Sequence, residues 1–322
     1  MNADGMRFSF GPVPSRRLGR SVGINHIPAK TCSYACVYCQ VGRTTMMLAE
    51  RRPFFSAEEI AADVTNRVEQ ARRENAAIDY LTFVPDGEPT LDLNLGRAIR
   101  RLRFLGIPIG VISNSSLIWR EDVRSELAEA DWVSLKIDAV REPAWRRINR
   151  PHRALSLEAI LEGALAFAGA FGGQLVSETM LLQGGDQDEG HLREIAEFLG
   201  RLQPAVAYLS VPTRPPAVKA IRRPDEHALN RAFQTIAARV QATELLIGYE
   251  GDAFSSTGDI EKDLLSITAV HPMRREAIEK MLAKAGASWS LVEALQARGD
   301  LAASEYEGNE YYLRSFRKTA KK

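Results

Sequence analysis

Cysteine is scarce in this chain, and so are the long apolar runs that mark membrane proteins. Three cysteines in 322 residues are too few, and odd in number, for the disulfide framework of a small secreted protein. No run of about 18 apolar residues is present, so we expect no membrane-spanning helix. Residues 1–7 lack the apolar core of a signal peptide. These absences favour a reducing compartment, and we expect a cytoplasmic protein with no membrane partner.

The net charge is also small, at +1. The composition, with 45% hydrophobic and 26% charged residues, is that of a globular protein. The charges are unevenly distributed. Residues 1–56 carry eight Lys or Arg against two Asp or Glu, and the segments 141–153 and 212–223 are also rich in basic residues. The length allows one large domain, or a large domain with a small one.

The three cysteines lie together as Cys32, Cys36 and Cys39, in the spacing C-x-x-x-C-x-x-C. Three thiolates in one short loop can hold three irons of a [4Fe–4S] cube. Such cubes usually take four cysteines, so the fourth iron is left with an open coordination position. Packed thiols are one alternative. A structural zinc site with His26 as the fourth ligand is another.

Strand-like apolar runs alternate with amphipathic helical patterns over the first 211 residues. Six strands are predicted, at Ser21–Asn25, Tyr80–Val84, Ile107–Ser113, Trp132–Ile137, Gln174–Leu181 and Ala205–Val211. The first helix is predicted to run from Ser56 to Arg73, with Ser56 as its N-cap and Glu59 as the capping-box partner. Four further helices are predicted at Leu95–Leu105, Arg120–Glu129, Ser156–Phe171 and Gly190–Leu202. Six strand–helix units in series predict an α/β fold, a partial (β/α)6 barrel.

After residue 250 the pattern changes to three helices and a β-hairpin. The helices are predicted at Asp259–Ile267, Arg274–Ala285 and Leu291–Arg298, and the strands at Leu301–Tyr306 and Glu310–Phe316. This order resembles a small winged helix-turn-helix domain. We therefore expect one domain over residues 1–250 with an N-terminal extension, and a second over 251–322 that ends in a basic tail.

The predicted C-terminal domain has balanced charge, with eleven basic and eleven acidic side chains in residues 251–322. Domains that bind nucleic acid usually present a basic stripe, which is missing here. Sequence-specific DNA binding is therefore disfavoured for this domain. Peptide docking, dimerisation or contact with a protein partner are the alternatives.

Polar residues cluster where the predicted strands end, which is also where the cysteine loop follows the first strand. In barrels of this kind the reactive groups lie on the loops after the carboxyl ends of the strands. These candidates, in chain order, are Gly87, Glu88, Pro89, Ser113, Asn114, Lys136, Asp138 and Glu178. Lys136 and Asp138 share one strand face, which suits either a structural ion pair or a role in the site.

Two of these features together resemble the radical S-adenosylmethionine (radical SAM) superfamily, over roughly residues 10–215. They are the cysteine triad with Tyr38 before its last member, and Gly87-Glu88-Pro89 after the second strand. The segment 11–19, GPVPSRRLG, resembles the subgroup related to the tRNA wybutosine-synthesis enzymes. Those synthases are expected to carry a second set of cysteines, and this chain has none to spare. That departure disfavours the wybutosine reaction itself, sulfur insertion and methylthiolation.

The resemblance implies one [4Fe–4S] cluster on Cys32, Cys36 and Cys39, with SAM bound at the open iron. It implies that one electron, from a donor such as flavodoxin or ferredoxin, cleaves SAM to a 5′-deoxyadenosyl radical, which takes a hydrogen atom from the substrate. The Gly-Glu-Pro loop would accept hydrogen bonds from the SAM amino group, and Tyr38 would lie near the adenine. The remaining SAM-site candidates are Ser113, Asn114, Lys136, Asp138 and Glu178.

The three basic segments are expected to converge at the barrel mouth. Arginine forms bidentate bonds with phosphate and carboxylate groups, so they predict an anionic substrate, with RNA or a nucleotide as the preferred class. The predicted substrate-binding residues are Arg16, Arg17, Arg146, Arg147, Arg150 and Arg214. One alternative is a radical enzyme that modifies a peptide or protein gripped by the C-terminal domain. Another is a non-catalytic iron–sulfur sensor with a winged-helix output domain.

Overall fold

The computed structural model describes residues 8–184, 188–248, 254 and 259–315. The strands are β1 (Ser9–Ser15), β2 (Gly19–Ile24), β3 (Thr31–Cys32), β4 (Met46–Met47), β5 (Tyr80–Phe83), β6 (Ile109–Ser113), β7 (Trp132–Lys136), β8 (Gln174–Met180), β9 (Val206–Ser210), β10 (Thr243–Leu246), β11 (Met273–Arg274), β12 (Leu301–Tyr306) and β13 (Asn309–Arg314). The α-helices are α1 (Ala57–Arg73), α2 (Leu95–Leu102), α3 (Glu121–Leu127), α4 (Glu142–Asn149), α5 (Leu157–Ala170), α6 (Glu189–Leu202), α7 (Glu226–Ala237), α8 (Ile260–Val270), α9 (Arg275–Lys284) and α10 (Ser290–Ala297).

Within the described residues the main sheet has eight strands, in the order β1-β2-β5-β6-β7-β8-β9-β10. From β2 to β10 all neighbours are parallel, and only β1 pairs in the antiparallel sense, with β2. The predicted α/β fold is confirmed, and the mostly parallel sheet is that of a partial barrel. The six predicted strands are β2 and β5 to β9, each shifted at its ends by no more than two residues.

The two faces of the sheet have different chemistry, because successive strand residues point to opposite sides. Val22, Leu81 and Val111 belong to the large apolar core that the helices cover. Their neighbours Ser21 and Thr82 lie on the other side, which we call the inner face. There the two hydroxyl oxygens are 2.5 Å apart. The inner face therefore carries polar groups at positions where the outer face is aliphatic.

Helix α1 begins where the capping box predicts. The Ser56 hydroxyl oxygen accepts a hydrogen bond from the Glu59 amide, and the Glu59 carboxylate accepts one from the Ser56 amide. Ile60, Val64 and Val68 recur at helical spacing and are fully buried against the sheet. Burying each such side chain stabilises the fold by roughly 1.5–3 kcal/mol.

Two strands of the main sheet were not predicted. β1 contains Pro12 and Pro14, which are poor strand residues but are tolerated on an edge strand, where β1 lies. β10 has four residues and alternates poorly, with Thr243 and Leu246 buried and the two between them exposed. Both segments are strands because they pair with a neighbouring strand of the sheet, β1 with β2 and β10 with β9. A local sequence pattern does not contain that information.

The elements from α8 to β13 form what we call the C-terminal unit. Its three helices and its hairpin match the predicted order, and β11 adds a third strand, giving the order β11-β13-β12. The predicted boundary after residue 250 and the predicted tail, residues 317–322, lie outside the described residues. In the part of the chain that is described, no helix is long and apolar enough to cross a membrane.

The C-terminal unit packs directly on β1. Phe10 and Val13 share an apolar cluster with Leu264, Ile267 and Met273. Helix α1 of the barrel also contacts α8 of the C-terminal unit, because Arg67 and Asp263 form a buried ion pair, 3.5 Å apart. A shared core of this kind fixes the C-terminal unit against the barrel.

Candidate functional site

The loop that follows β2, residues 25–45, contains all three cysteines and is called the cysteine loop here. Its first half is attached to the Gly-Glu-Pro segment, since the Glu88 amide donates to the Thr31 carbonyl over 3.1 Å. Its second half lies against the end of α4, where the Val37 amide donates to the Ile148 carbonyl over 2.9 Å. The cysteines are thus held by the segment after β5 and by the end of α4, which are far apart in sequence.

Amide groups point at two of the three sulfurs. Asn114 Nδ2 lies 3.4 Å from Cys32 Sγ, and Asn149 Nδ2 lies 3.5 Å from Cys36 Sγ. Burial, and next the neighbouring Cys36, raises the pKa of the Cys32 thiol well above its usual value. Burial likewise raises the pKa of Cys36 to about 12. These thiols therefore need a cationic metal centre to become thiolates, and the amides then stabilise the sulfur charge.

The donor set suits a cluster better than a single ion. Among the described residues, no three His, Cys, Asp or Glu side chains converge on one metal position. The zinc alternative also loses its fourth ligand, because His26 is fully buried with its ring edge-on to Phe83. His26 Nε2 lies 3.3 Å from the Pro89 carbonyl oxygen. Three cysteines without a fourth donor fit a [4Fe–4S] cube with one open iron.

Gly87 allows the Gly-Glu-Pro loop to approach the cysteine loop closely. A Cβ at this position would collide with the Thr31 carbonyl oxygen, and it would meet Ile27 Cδ1 at 2.8 Å. The backbone of Thr31 could not move away without displacing Cys32. Glycine is therefore required here by space.

Glu88 organises the neighbouring strand ends instead of facing outwards. Its carboxylate is buried and accepts from Ser113 Oγ at 2.8 Å, from the Asn114 amide at 2.7 Å and from Thr90 Oγ1 at 2.6 Å. Burial raises the pKa of Glu88, and these donors act in the opposite direction. Because the Glu88 oxygens are occupied within the protein, this loop would accept hydrogen bonds from the SAM amino group with its backbone carbonyl groups.

Tyr38 and Asp138 form a buried pair next to the cysteine loop. The Tyr38 hydroxyl donates to Asp138, and Asn149 Nδ2 donates to the same carboxylate over 2.7 Å. The second Asp138 oxygen accepts from the Met180 amide over 2.8 Å. Burial, then the Asp138 charge, raises the pKa of Tyr38 well above its usual value. Both residues thus connect the cysteine loop to β7 and β8.

Lys136 and Glu178 meet on the inner face, where β7 and β8 are paired. Lys136 Nζ lies 3.0 Å from Glu178 Oε1 and 3.8 Å from Asp138 Oδ1, and it sits 4.9 Å from the centre of the Tyr38 ring. Arg17, from the turn between β1 and β2, forms an ion pair with the other Glu178 oxygen. Burial lowers the pKa of Arg17 to about 10, and the charge of Arg16 acts in the same direction. A chain of alternating charges therefore crosses the inner face.

A cavity of about 120 Å³ opens on the inner face beside this chain of charges. The residues that form it come from β1, β2 and the turn between them, from β5 and β6, from the segment after β9, and from the C-terminal unit. Those with polar groups are Ser15, Arg17, Ser21, Thr82, Arg214 and His271. No Asp or Glu is found among the described residues that line it. Arg214 Nη2 lies 3.1 Å from a ring nitrogen of His271, and burial, then the Arg214 charge, lowers the pKa of that histidine.

The predicted substrate-binding arginines fall into two groups. Arg17 and Arg214 share the cavity. Arg16 lies nearby, but its guanidinium donates to the backbone carbonyls of Leu246 and Gly248, at 2.7 and 3.1 Å, and so ties the β1–β2 turn to the end of β10. The remaining three lie exposed on and just after α4, and are Arg146, Arg147 and Arg150.

Sequence reasoning missed several residues that support the cysteine loop. Asn149 contacts Cys36, Tyr38 and Asp138, although its only signal was a place just before Arg150-Pro151. Lys30 pairs with the buried Asp86 at 2.7 Å, and burial raises the pKa of that carboxyl to about 6. Lys30 and Asp86 adjoin the two motifs, so proximity in sequence could have indicated them.

Comparison with known proteins agrees with this geometry. The family model described as the Radical SAM superfamily matches residues 26–199. The UPF0026 protein of Methanocaldococcus jannaschii is 46% identical over 97% of both chains. Among solved structures, TYW1 with a bound lysine-pyruvate adduct is 17% identical, with a TM-score of 0.52 over 69% of this chain and 74% of the other. Streptococcus suis SuiB bound to its precursor peptide SuiA is 13% identical, with a TM-score of 0.55 over 84% and 65%.

Proposed function

This chain belongs to the radical SAM superfamily, and we propose that Cys32, Cys36 and Cys39 hold the [4Fe–4S] cluster of that family. The family's cluster and SAM supply a reductive cleavage that yields a 5′-deoxyadenosyl radical. The prediction of an enzyme is confirmed by this membership, whereas the sensor alternative has no support in the comparisons. The residues around the cysteines would orient the cluster ligands. Asn114 and Asn149 direct their side-chain amides at the sulfurs, and Gly87 lets the Gly-Glu-Pro loop approach the cysteine loop closely.

The substrate of this enzyme, in our proposal, is an anion whose charged group enters the inner-face cavity. The observation that carries the proposal is the lining of the cavity, which has Arg17 and Arg214 but no described carboxylate. The hydroxyls of Ser21 and Thr82 are bonded to each other, which leaves one O–H of the pair as a neutral donor. A volume of about 120 Å³ is well below the roughly 300–1,000 Å³ of drug-sized sites, so a phosphate or carboxylate group fits better than a whole nucleotide.

Nucleotides and RNA remain our preferred substrate class, with the phosphate in the cavity and the base or chain outside it. We also propose a relation to the wyosine-type subgroup, on the resemblance of the segment 11–19, which forms most of β1 and the turn that brings Arg17 to the cavity. We also propose that residues 251–322 are a winged-helix-like domain. Its order of three helices and a three-stranded sheet supports that assignment. An electron donor of the flavodoxin or ferredoxin type completes the system.

Anaerobic reconstitution tests the cluster assignment. Wild-type protein with iron, sulfide, SAM and dithionite should bind about four irons and release 5′-deoxyadenosine. Alanine variants of Cys32, Cys36 and Cys39, made singly, should each lose the cluster signal in electron paramagnetic resonance. Thr44→Val serves as the matched control, since Thr44 lies in the same loop and its Oγ1 donates to the Tyr34 carbonyl over 2.7 Å. Full iron content in any of the three cysteine variants contradicts the assignment.

A peptide substrate is the second candidate, and the exposed edge of the C-terminal sheet favours it. β12 lies at the edge of that sheet, with Ala302 and Ala303 exposed. An extended peptide can add to such an edge as a further strand. Proline at position 303 would block that pairing. If Ala303→Pro abolishes turnover of a peptide substrate while RNA has no effect on 5′-deoxyadenosine release, this candidate replaces the first.

A further inference from the structure

The segment that follows β9, residues 211–218, lies between the cysteine loop and the C-terminal unit and contacts both. We call it the bridging segment. It has no regular secondary structure. Its position is therefore set by the hydrogen bonds it makes on its two sides.

On one side the bridging segment is bonded to the half of the cysteine loop that contains Cys39. The Ala217 amide donates to the Cys39 carbonyl over 2.9 Å, and the Val218 amide donates to the Val37 carbonyl over 3.0 Å. Gln40 adds a third attachment, because its Oε1 accepts from the Thr213 amide over 3.1 Å. Thr213 Oγ1 lies 3.3 Å from the same oxygen. The backbone on either side of Cys39 is thus held by this segment.

On the other side two buried tyrosines of the C-terminal hairpin hold the same segment. The Tyr311 hydroxyl donates to the Thr213 carbonyl over 2.9 Å, and the Tyr306 hydroxyl donates to the Pro212 carbonyl over 3.2 Å. Tyr311 is 1% exposed, so water cannot easily replace its bond. Arg274 Nε donates to the Tyr311 oxygen over 3.1 Å and fixes the orientation of the hydroxyl.

We propose that Tyr311 is a positioning residue for Cys39, acting through Thr213 and Gln40. The proposal rests on the assignment of the cluster to the three cysteines. Thr213 bonds Gln40 with its amide and Tyr311 with its carbonyl, so the two bonds share one residue. When the Tyr311 bond is lost, Thr213 becomes mobile, the Gln40 bond weakens, and Cys39 loses part of its backbone support. The C-terminal hairpin therefore helps to set how firmly the third cysteine is held.

Tyr311→Phe is the test, and Tyr312→Phe is its matched control. Tyr312 is the next residue of β13 and points the opposite way, with its ring 5.4 Å from that of Trp289 inside the C-terminal unit. Each variant removes the hydroxyl group of one buried tyrosine. In the reconstituted holoenzyme, iron release to a chelator should become about fivefold faster in Tyr311→Phe, which is the effect of one lost hydrogen bond. Tyr312→Phe should match the wild type, as should far-ultraviolet circular dichroism for both.

A second readout separates local positioning from general weakening of the fold. The electron paramagnetic resonance signal of the reduced, SAM-bound cluster should change in Tyr311→Phe and remain unchanged in Tyr312→Phe. Gln40→Ala should accelerate iron release too, and the double variant Gln40→Ala/Tyr311→Phe should be no faster than the faster single variant, because both act on one path. Fully multiplicative effects, or equal effects of Tyr311→Phe and Tyr312→Phe, overturn the proposal.

Alkylation of cluster-free protein keeps this inference distinct from the cluster assignment. In that form the reaction of Cys39 with iodoacetamide, followed by mass spectrometry, should be faster in Tyr311→Phe, while the reaction of Cys32 is unchanged. If the wild type holds no cluster but Cys39 still responds in this way, the cluster assignment fails and the positioning role stands. If the cluster forms and neither assay responds to Tyr311→Phe, the positioning role fails alone.

Discussion

Inner and outer arginines look alike in the sequence but occupy opposite environments in the fold. Arg17 lies on the inner face with a side chain 17% exposed, and it pairs with the largely buried Glu178. Arg146 on α4 is 51% exposed and pairs with Glu142 one helical turn away. A charge held in a low-dielectric cavity interacts strongly with a ligand, whereas an exposed one is weakened by water and salt. Location, more than the number of arginines, determines which of them can select a substrate.

Two carboxylates near Arg51 show the same contrast. Asp92 is fully buried, and burial raises its pKa from the ordinary 3.8 to about 7. Asp122 is 43% exposed, and its hydrogen bond from Arg120, followed by that from Arg51, lowers its pKa. Arg51 contacts both regions, through Asp122 Oδ2 at 2.9 Å and the Asp92 carbonyl at 2.8 Å. Burial therefore raises the pKa of one carboxyl group, and hydrogen bonds from arginine lower the pKa of the other.

The largest effect is expected on stability, from Asp92→Asn. The folded pKa of Asp92 lies above its unfolded value, so its favourable contribution is complete below pH 4 and is lost as pH rises towards 7. Asparagine does not titrate. The free energy of unfolding of the variant, relative to wild type, should therefore increase by roughly 2–4 kcal/mol between pH 4 and pH 8.

Urea unfolding at several pH values measures this difference. Asp122→Asn is the control with the opposite sign, because the pKa of Asp122 is lowered and its contribution is lost as pH falls. A flat difference for Asp92→Asn would mean that Asp92 titrates as it does in the unfolded chain.

The next largest effect is expected from Arg17→Gln. Removing a charge-assisted bond to an anion should raise the substrate concentration for half-maximal 5′-deoxyadenosine release by roughly 10- to 100-fold. Arg16→Gln is the matched control, because the Arg16 guanidinium is bonded to the backbone of β10. That variant should lose stability and keep its half-maximal concentration. Equal values in the two variants would remove Arg17 from the binding site.

The smallest effect is expected from the triple variant of Arg146, Arg147 and Arg150 to Ala. With RNA as substrate, the half-maximal concentration should rise by about threefold at low salt, and the difference should vanish as salt increases, because exposed charges are screened. Uncoupled SAM cleavage should persist. An effect larger than that of Arg17→Gln would move the main binding surface from the cavity to α4.

The sequence identified the local features well, because they depend on neighbours in the chain. The six barrel strands, the capping box at Ser56 and the placing of Glu88 next to the strand ends follow from periodicity and short motifs. What it missed depends on distant residues. Lys136 and Glu178 are paired through neighbouring strands, 42 residues apart, and Arg17 reaches Glu178 from the turn between β1 and β2, 161 residues away. No local pattern reveals which arginines the fold buries.

The packing of Phe10 and Val13 against the C-terminal unit has a consequence for the assembly of the chain. Their partners, Leu264, Ile267 and Met273, are more than 250 residues away, so they leave the ribosome after the whole barrel has been made. Until then the outermost strand has an apolar surface in contact with water, and strands exposed in this way invite aggregation. The first strand is therefore protected only after residues 264–273 have been synthesised and have folded onto it.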